Sequence, residues 1–170
     1  MQNKILYFHG LDSFLSDDKK IILEKYGIVE APVTNYREFN IYHFLDPLLK
    51  TDATVVMGSS FGGYIGYTLA RHVNLPSLLF NPALIGRSIN AEYTKGNEPG
   101  IMTSLSYIVL GKKDEVINCA ENFDYISKNV KGPKKIIIED TLAHRIPLDI
   151  FEKHVAKFFQ SINEEKLPES

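Results

Sequence analysis

Six short runs of aliphatic and β-branched residues punctuate this sequence, and hardly any of them alternates polar with apolar positions. They are Lys4–Phe8, Val29–Pro32, Thr54–Met57, Ser77–Phe80, Ser106–Leu110 and Lys135–Glu139. A strand that is apolar on both sides cannot lie on a solvated surface; it belongs in a parallel sheet covered on both faces. The stretches between the runs supply the cover. Ser16 with Asp17 and Asp18 reads as an N-cap with an acidic first turn, and Gly27 as the stop of that helix. Asn40–Lys50 carries Ile41, Phe44, Leu45, Leu48 and Leu49 at helical spacing, with Pro47 as a kink or a late start. Ser60–His72 reads as a further helix. Val116, Ala120, Phe123 and Ile126 form one more core stripe, and Leu148, Phe151, Val155, Phe158 and Phe159 the last. This alternation predicts the α/β class: a three-layer αβα sandwich around a mostly parallel sheet. Ligands of such sheets bind beyond the carboxyl ends of the strands, so chemistry is to be sought just after each run.

A length of 170 residues suits one domain, expected over 1–162, with a polar tail over 163–170. Asn90–Thr103, with Gly96, Pro99 and Gly100, breaks the periodicity and reads as a surface loop. A net charge of −2 leaves no positive surplus for phosphates, so no nucleic-acid partner is expected. No apolar run is long enough for a membrane-spanning helix, and because Met1-Gln2-Asn3-Lys4 leads straight into a strand-like run, no signal peptide is expected. Cys119, the single cysteine, can form no internal bridge; a cytoplasmic location is expected, with no chemical role for this thiol.

The most informative segment is Thr54-Val55-Val56-Met57-Gly58-Ser59-Ser60-Phe61-Gly62-Gly63-Tyr64. It places Gly58-x-Ser60-x-Gly62 between a buried strand and a helix, the context of a nucleophile elbow. A serine lifted on so tight a turn has a strained backbone, and side chains two positions to either side would collide. Glycines at 58 and 62 remove the collision, and Gly63 and Gly66 let the helix approach the sheet. Ser59 is the competing hydroxyl, but Met57 and Phe61 would stand at its tight positions, so Ser60 is the candidate nucleophile. The same glycines do not make a phosphate loop, because Tyr64-Ile65 stands where Lys-Ser/Thr would be. No dinucleotide fingerprint follows the first strand, and neither a cofactor nor a metal site is expected.

A nucleophilic serine needs a base, and the base an orienting acid, in the chain order nucleophile, acid, histidine. Asp114 follows the fifth run across Gly111-Lys112-Lys113; Glu115 and Asp140 are the alternative acids, and an N-cap is the competing role for Asp114. His144 follows the sixth run, whereas His43, His72 and His154 fall within helices and His9 precedes the elbow. The turn after the first run, His9-Gly10-Leu11, would supply one backbone N–H of an oxyanion hole from Leu11, with Phe61 supplying the other. His9, Gly10, Leu84 and Tyr93 are expected to edge the substrate pocket.

With these residues placed, the sequence resembles the short bacterial α/β-hydrolases of the YqiA-type esterase family. The resemblance rests on His9-Gly10-Leu11-Asp12-Ser13, Gly58 through Tyr64, Phe80-Asn81-Pro82-Ala83-Leu84, Asp114 and His144. It implies a compact α/β-hydrolase fold without a large cap domain and a Ser60–His144–Asp114 triad. The expected activity is hydrolysis of a small, short-acyl carboxylic ester through an acyl-enzyme on Ser60. A selective thioesterase or an acyltransferase with the same triad, or a noncatalytic acyl- or partner-binding module, are the alternatives. The expected partner is therefore a small-molecule ester or thioester.

Overall fold

In the computed structural model, residues 2–37, 48–87 and 100–164 are described. The expected helix at Asn40–Lys50 falls almost wholly outside them, as do most of Asn90–Thr103, Tyr93 and the end of the polar tail. Six strands form one sheet: β1 (Asn3–Phe8), β2 (Gly27–Glu30), β3 (Val55–Ser59), β4 (Ser77–Phe80), β5 (Ser106–Gly111) and β6 (Lys134–Glu139). The order is β2-β1-β3-β4-β5-β6 and every pairing is parallel. All six expected runs are strands.

The reason lies in the two faces. Leu6, Phe8, Val56, Leu79, Ile108 and Leu110 pack on one side, under α2 (Phe61–Val73) and α3 (Cys119–Asn129). Ile5, Tyr7, Val55, Met57, Leu78, Phe80, Tyr107 and Val109 pack on the other, under α1 (Asp17–Glu24) and α4 (Leu148–Glu164). Side chains alternate faces along a strand, so both sets must be apolar for the sheet to be covered twice. The result is an α/β sandwich of three layers.

Three expectations about local structure need correction. Gly27 does not stop α1. The helix ends at Glu24 with Lys25 as its C-cap, and Gly27 opens β2 opposite Asn3. A Cβ there would lie 2.3 Å from the Asn3 carbonyl oxygen, so the glycine serves strand contact. This also moves β2 two residues ahead of the expected Val29–Pro32. Ser16 is the N-cap of α1 and Asp17 and Asp18 form its acidic first turn, as expected, although the Ser16 side chain makes no capping bond. In α3 the inward positions are Asn122 and Ile126, flanked by buried Ile117 and Val130, while Val116 and Phe123 of the expected stripe are exposed. Asn122 faces inward because its amide donates to the Pro82 carbonyl oxygen (2.9 Å). A single polar residue thus sets the phase of that helix.

The strand order reverses between β1 and β3: the chain leaves β1 toward β2 on one side and returns to build β3 on the other. The crevice beyond the carboxyl ends of those two strands is the topological switch point, where ligands of open α/β sheets bind.

Burial also sets a pH response. His154 of α4 is fully buried, with Nε2 2.8 Å from Glu139 Oε1 and Nδ1 3.2 Å from the Tyr107 hydroxyl. Burial pulls its pKa below the ordinary 6.5, although Glu139 opposes the shift. Glu139 is held below its ordinary 4.5, first by its hydrogen bond from Lys153 and then by His154. Both groups take up protons more readily in the unfolded chain, so their contribution is complete above the ordinary histidine value and is lost as the pH falls. Thermal unfolding measured from about pH 7 to pH 4 should show a Tm that drops with acid. In His154→Gln the upper part of that drop, below the ordinary histidine value, should flatten.

Candidate active site

Ser60 sits between β3 and α2 with φ 54° and ψ −122°, a conformation that a residue with a side chain adopts only under constraint. Three hydrogen bonds hold it there. Its N–H donates to the Phe80 carbonyl oxygen (2.9 Å), and its carbonyl oxygen accepts from Ala83 N (2.9 Å) and Tyr64 N (3.2 Å). The flanking glycines are required by space. A Cβ on Gly58 would lie 2.3 Å from the Gly62 carbonyl oxygen, and one on Gly62 would lie 2.2 Å from the carbonyl oxygens of Phe8 and His9. Gly63 is also tight, at 2.9 Å from Pro82, whereas a Cβ on Gly66 would meet nothing closer than 3.4 Å.

The other strand exits converge on this turn. The Ser60 hydroxyl donates to His144 Nε2 (3.0 Å), and His144 Nδ1 donates to Asp114 (2.9 Å to Oδ2, 3.0 Å to Oδ1). These partners select the neutral tautomer that carries its proton on Nδ1. The Asp114 side chain is 1% exposed and that of His144 22%. Asp114 Oδ1 also accepts from the backbone N–H groups of Val116 (2.8 Å) and Ile117 (2.9 Å). It therefore caps the following turn while it holds the imidazole, so the two roles weighed for it coexist. Glu115 touches His144 only at its backbone N–H (3.3 Å), and Asp140 is an exposed partner of Lys112. Ser59 points elsewhere, its Oγ accepting from the Tyr7 hydroxyl (3.1 Å).

The loops that carry the acid and the histidine are fastened to each other. Lys112 N donates to the Glu139 carbonyl oxygen (3.0 Å) and Lys113 N to that of Leu142 (3.0 Å). Asn81, at the exit of β4, completes the fastening. Its Oδ1 accepts from Gly111 N (2.7 Å), and its Nδ2 donates to the carbonyl oxygens of Ala143 (2.9 Å) and His144 (3.4 Å). It is 2% exposed, with φ 41°. Residue-type reasoning passes over this asparagine because an amide has no chemistry of its own. Its position directly after a buried strand, like Asp114 and His144, was the available signal.

Gly10 lies against the nucleophile: a Cβ on it would be 3.3 Å from Ser60 Cβ. The Leu11 N–H comes next in the chain, and the Phe61 N–H is the first of α2, where no intrahelical acceptor exists. Among the described residues His9 lines neither cavity that opens at Ser60. It is 3% exposed, with Nδ1 2.6 Å from the Gly10 carbonyl oxygen and Nε2 accepting from Thr34 N (2.9 Å). Its ring braces the loop from behind. Leu84 is likewise buried in the core beneath the site. Among the described residues, two cavities open at Ser60. One, of about 420 Å³, is lined by Gly10, Lys19, His144 and Arg145, among others. The other, of about 330 Å³, is lined by Leu11, Phe61, Ala83, Ile85, Val116 and Ile117 together with the polar Arg87, Asn118 and Glu121. Among the described residues no cluster of three or more His, Cys, Asp or Glu side chains could hold a metal, and no helix is long and apolar enough to cross a membrane. Cys119 is half-buried, its thiol pushed up by burial and by the Asp114 charge.

Comparison with known proteins agrees with this architecture. The model of an uncharacterised protein family, UPF0227, matches residues 4–98. No curated protein sequence matches. Among solved structures, a member of the alpha/beta hydrolase superfamily from Xanthomonas campestris pv. campestris superposes with a TM-score of 0.70 at 18% identity, covering 94% of this chain and 99% of its own. A Bacillus cereus carboxylesterase gives 0.64 at 16%, covering 94% and 89%. Mouse alpha/beta hydrolase domain-containing protein 10 gives 0.70 at 14%, covering 98% and 92%. At these identities the likeness is one of fold, and the fold is that of the α/β-hydrolases.

The glycine spacings differ enough to test. Gly62→Ala, which sets a methyl against β1 backbone, should lower stability in urea unfolding by about 3 kcal/mol or more. Gly66→Ala should stay within about 1 kcal/mol of the parent or exceed it, since alanine favours the helix.

Proposed function

The chain belongs to the UPF0227 family of α/β-hydrolase-fold proteins, and from that premise we propose that it is a serine hydrolase of small carboxylic esters or thioesters. The observation that carries the reading is the unbroken relay of hydrogen bonds from the Ser60 hydroxyl through His144 to buried Asp114. A serine that merely packs in a turn needs no aligned base, and the base no buried carboxylate.

In this mechanism the Ser60 Oγ proton passes to His144 Nε2 as Oγ bonds to the acyl carbon. The carbonyl oxygen becomes an oxyanion, held by the N–H groups of Leu11 and Phe61. The C–O or C–S bond to the leaving group then breaks, and the leaving atom takes the proton from Nε2. Water attacks the acyl-enzyme, gives a proton to Nε2, and the acid departs as Ser60 regains its hydrogen. Asp114 keeps Nδ1 protonated and stabilises the imidazolium that forms in each half-reaction. The 330 Å³ cavity, which Leu11 and Phe61 line together, takes the acyl chain, and its size and apolar wall suit short acyl groups.

Hydrolysis of p-nitrophenyl acetate and butyrate should be measurable, and Ser60→Ala should lower kcat by about ten-thousand-fold or more while the fold is retained. A fluorophosphonate probe should label the parent at Ser60 and leave the variant unmarked. Asn81→Ala, which strips three hydrogen bonds from the loops behind the triad, should cost about 2–4 kcal/mol of stability. It should also lower kcat about tenfold to a hundredfold, with a smaller change in KM.

A further inference from the structure

The cavity on the His144 side of Ser60 carries two cations that its own walls do not neutralise. Lys19, projecting from α1, lies half-buried with its ammonium 5.3 Å from the centre of the Phe151 ring. Arg145, next to His144 in the chain, is exposed at the rim of the same cavity. Neither forms an ion pair among the described residues. The one carboxylate lining the cavity, Asp12, is bound to Arg37 through two hydrogen bonds (2.8 and 3.2 Å). Burial pulls the Lys19 pKa down, and the Arg145 charge pulls it down further, so the two cations are close enough to repel each other. An arrangement that costs stability when empty and loses that cost when an anion arrives is characteristic of a binding site.

The chemistry at Ser60 decides which part of a substrate enters here. A base that returns its proton to the departing atom must face the leaving group. His144 lines this cavity and not the other, Phe61 lines the other and not this one, and Leu11 stands between them and lines both. We propose that Lys19 and Arg145 form an anion subsite for the leaving group. The preferred substrates are then esters or thioesters whose alcohol or thiol portion bears a carboxylate or phosphate. This rests on the serine-hydrolase reading and narrows its substrate class.

The test uses the full chain at low ionic strength and three butyrate esters of one aryl frame. They are 4-butyryloxybenzoate, 4-butyryloxyphenyl phosphate and the neutral methyl 4-butyryloxybenzoate. For each protein the anionic-to-neutral ratio of kcat/KM is compared between variants, which divides out leaving-group reactivity and any general loss of activity. In Lys19→Ala/Arg145→Ala the ratio should fall about tenfold or more, the loss of charge-assisted hydrogen bonds. In Lys19→Arg/Arg145→Lys it should recover. Whichever anion shows the larger fall identifies carboxylate or phosphate as the recognised group. A ratio equal in the parent and the double alanine variant overturns the subsite while leaving the hydrolase reading intact. Absence of Ser60-dependent cleavage of all three esters overturns both.

Discussion

The site depends on one strained residue held by its neighbours. Ser60 occupies a positive-φ turn that costs on the order of 1–3 kcal/mol, and it stays there because its N–H and carbonyl oxygen are tied to β4, to α2 and to the segment after β4. Those ties exist only when β3 and β4 are paired in register and α2 lies flat on the sheet, which in turn demands bare glycines at 58 and 62. The fold is therefore built outward from this turn: sheet register, helix approach and hydroxyl position are one constraint expressed three times.

Around it, polar side chains do what apolar packing cannot. The side chains of Asp114, Asn81 and His9 are each buried or nearly so, and each hydrogen-bonds backbone groups beyond the carboxyl ends of the strands, Asp114 while it also holds the His144 ring. Apolar contacts are non-directional and would let those loops slide; hydrogen bonds with fixed partners do not. The two hydrophobic layers hold the sheet together, and these residues set the geometry at its edge.

The strands were legible because burial on both faces leaves continuous apolar runs, and Ser60, Asp114 and His144 because they stand just past such runs in the expected order. What was not legible depended on long-range contacts. The phase of α3 follows from Asn122 reaching Pro82, 40 residues away, so a stripe counted from apolar residues alone picked Val116 and Phe123 in error. Gly27 resembled a helix stop until its contact with Asn3 was visible. His9 and Leu84, next to site residues in sequence, turn inward because strand-exit residues also close the core. Asn81 stands out in the sequence only within the Phe80-Asn81-Pro82 segment, because its role lies in joining two loops that are 30 and 62 residues farther along the chain.

Asn81 has one more property, and it comes from its neighbour. Asparagine side chains age by deamidation when the nitrogen of the following residue attacks the side-chain carbonyl carbon and forms a cyclic imide. Here the following residue is Pro82, whose nitrogen bears no hydrogen and cannot complete that reaction. A change of Asn81 to aspartate would replace an N–H donor with a negative oxygen facing the carbonyl oxygens of Ala143 and His144. The side chain that ties the acid loop to the histidine loop is thus shielded from the commonest chemical decay of its kind, and the chain can grow old without that joint coming undone.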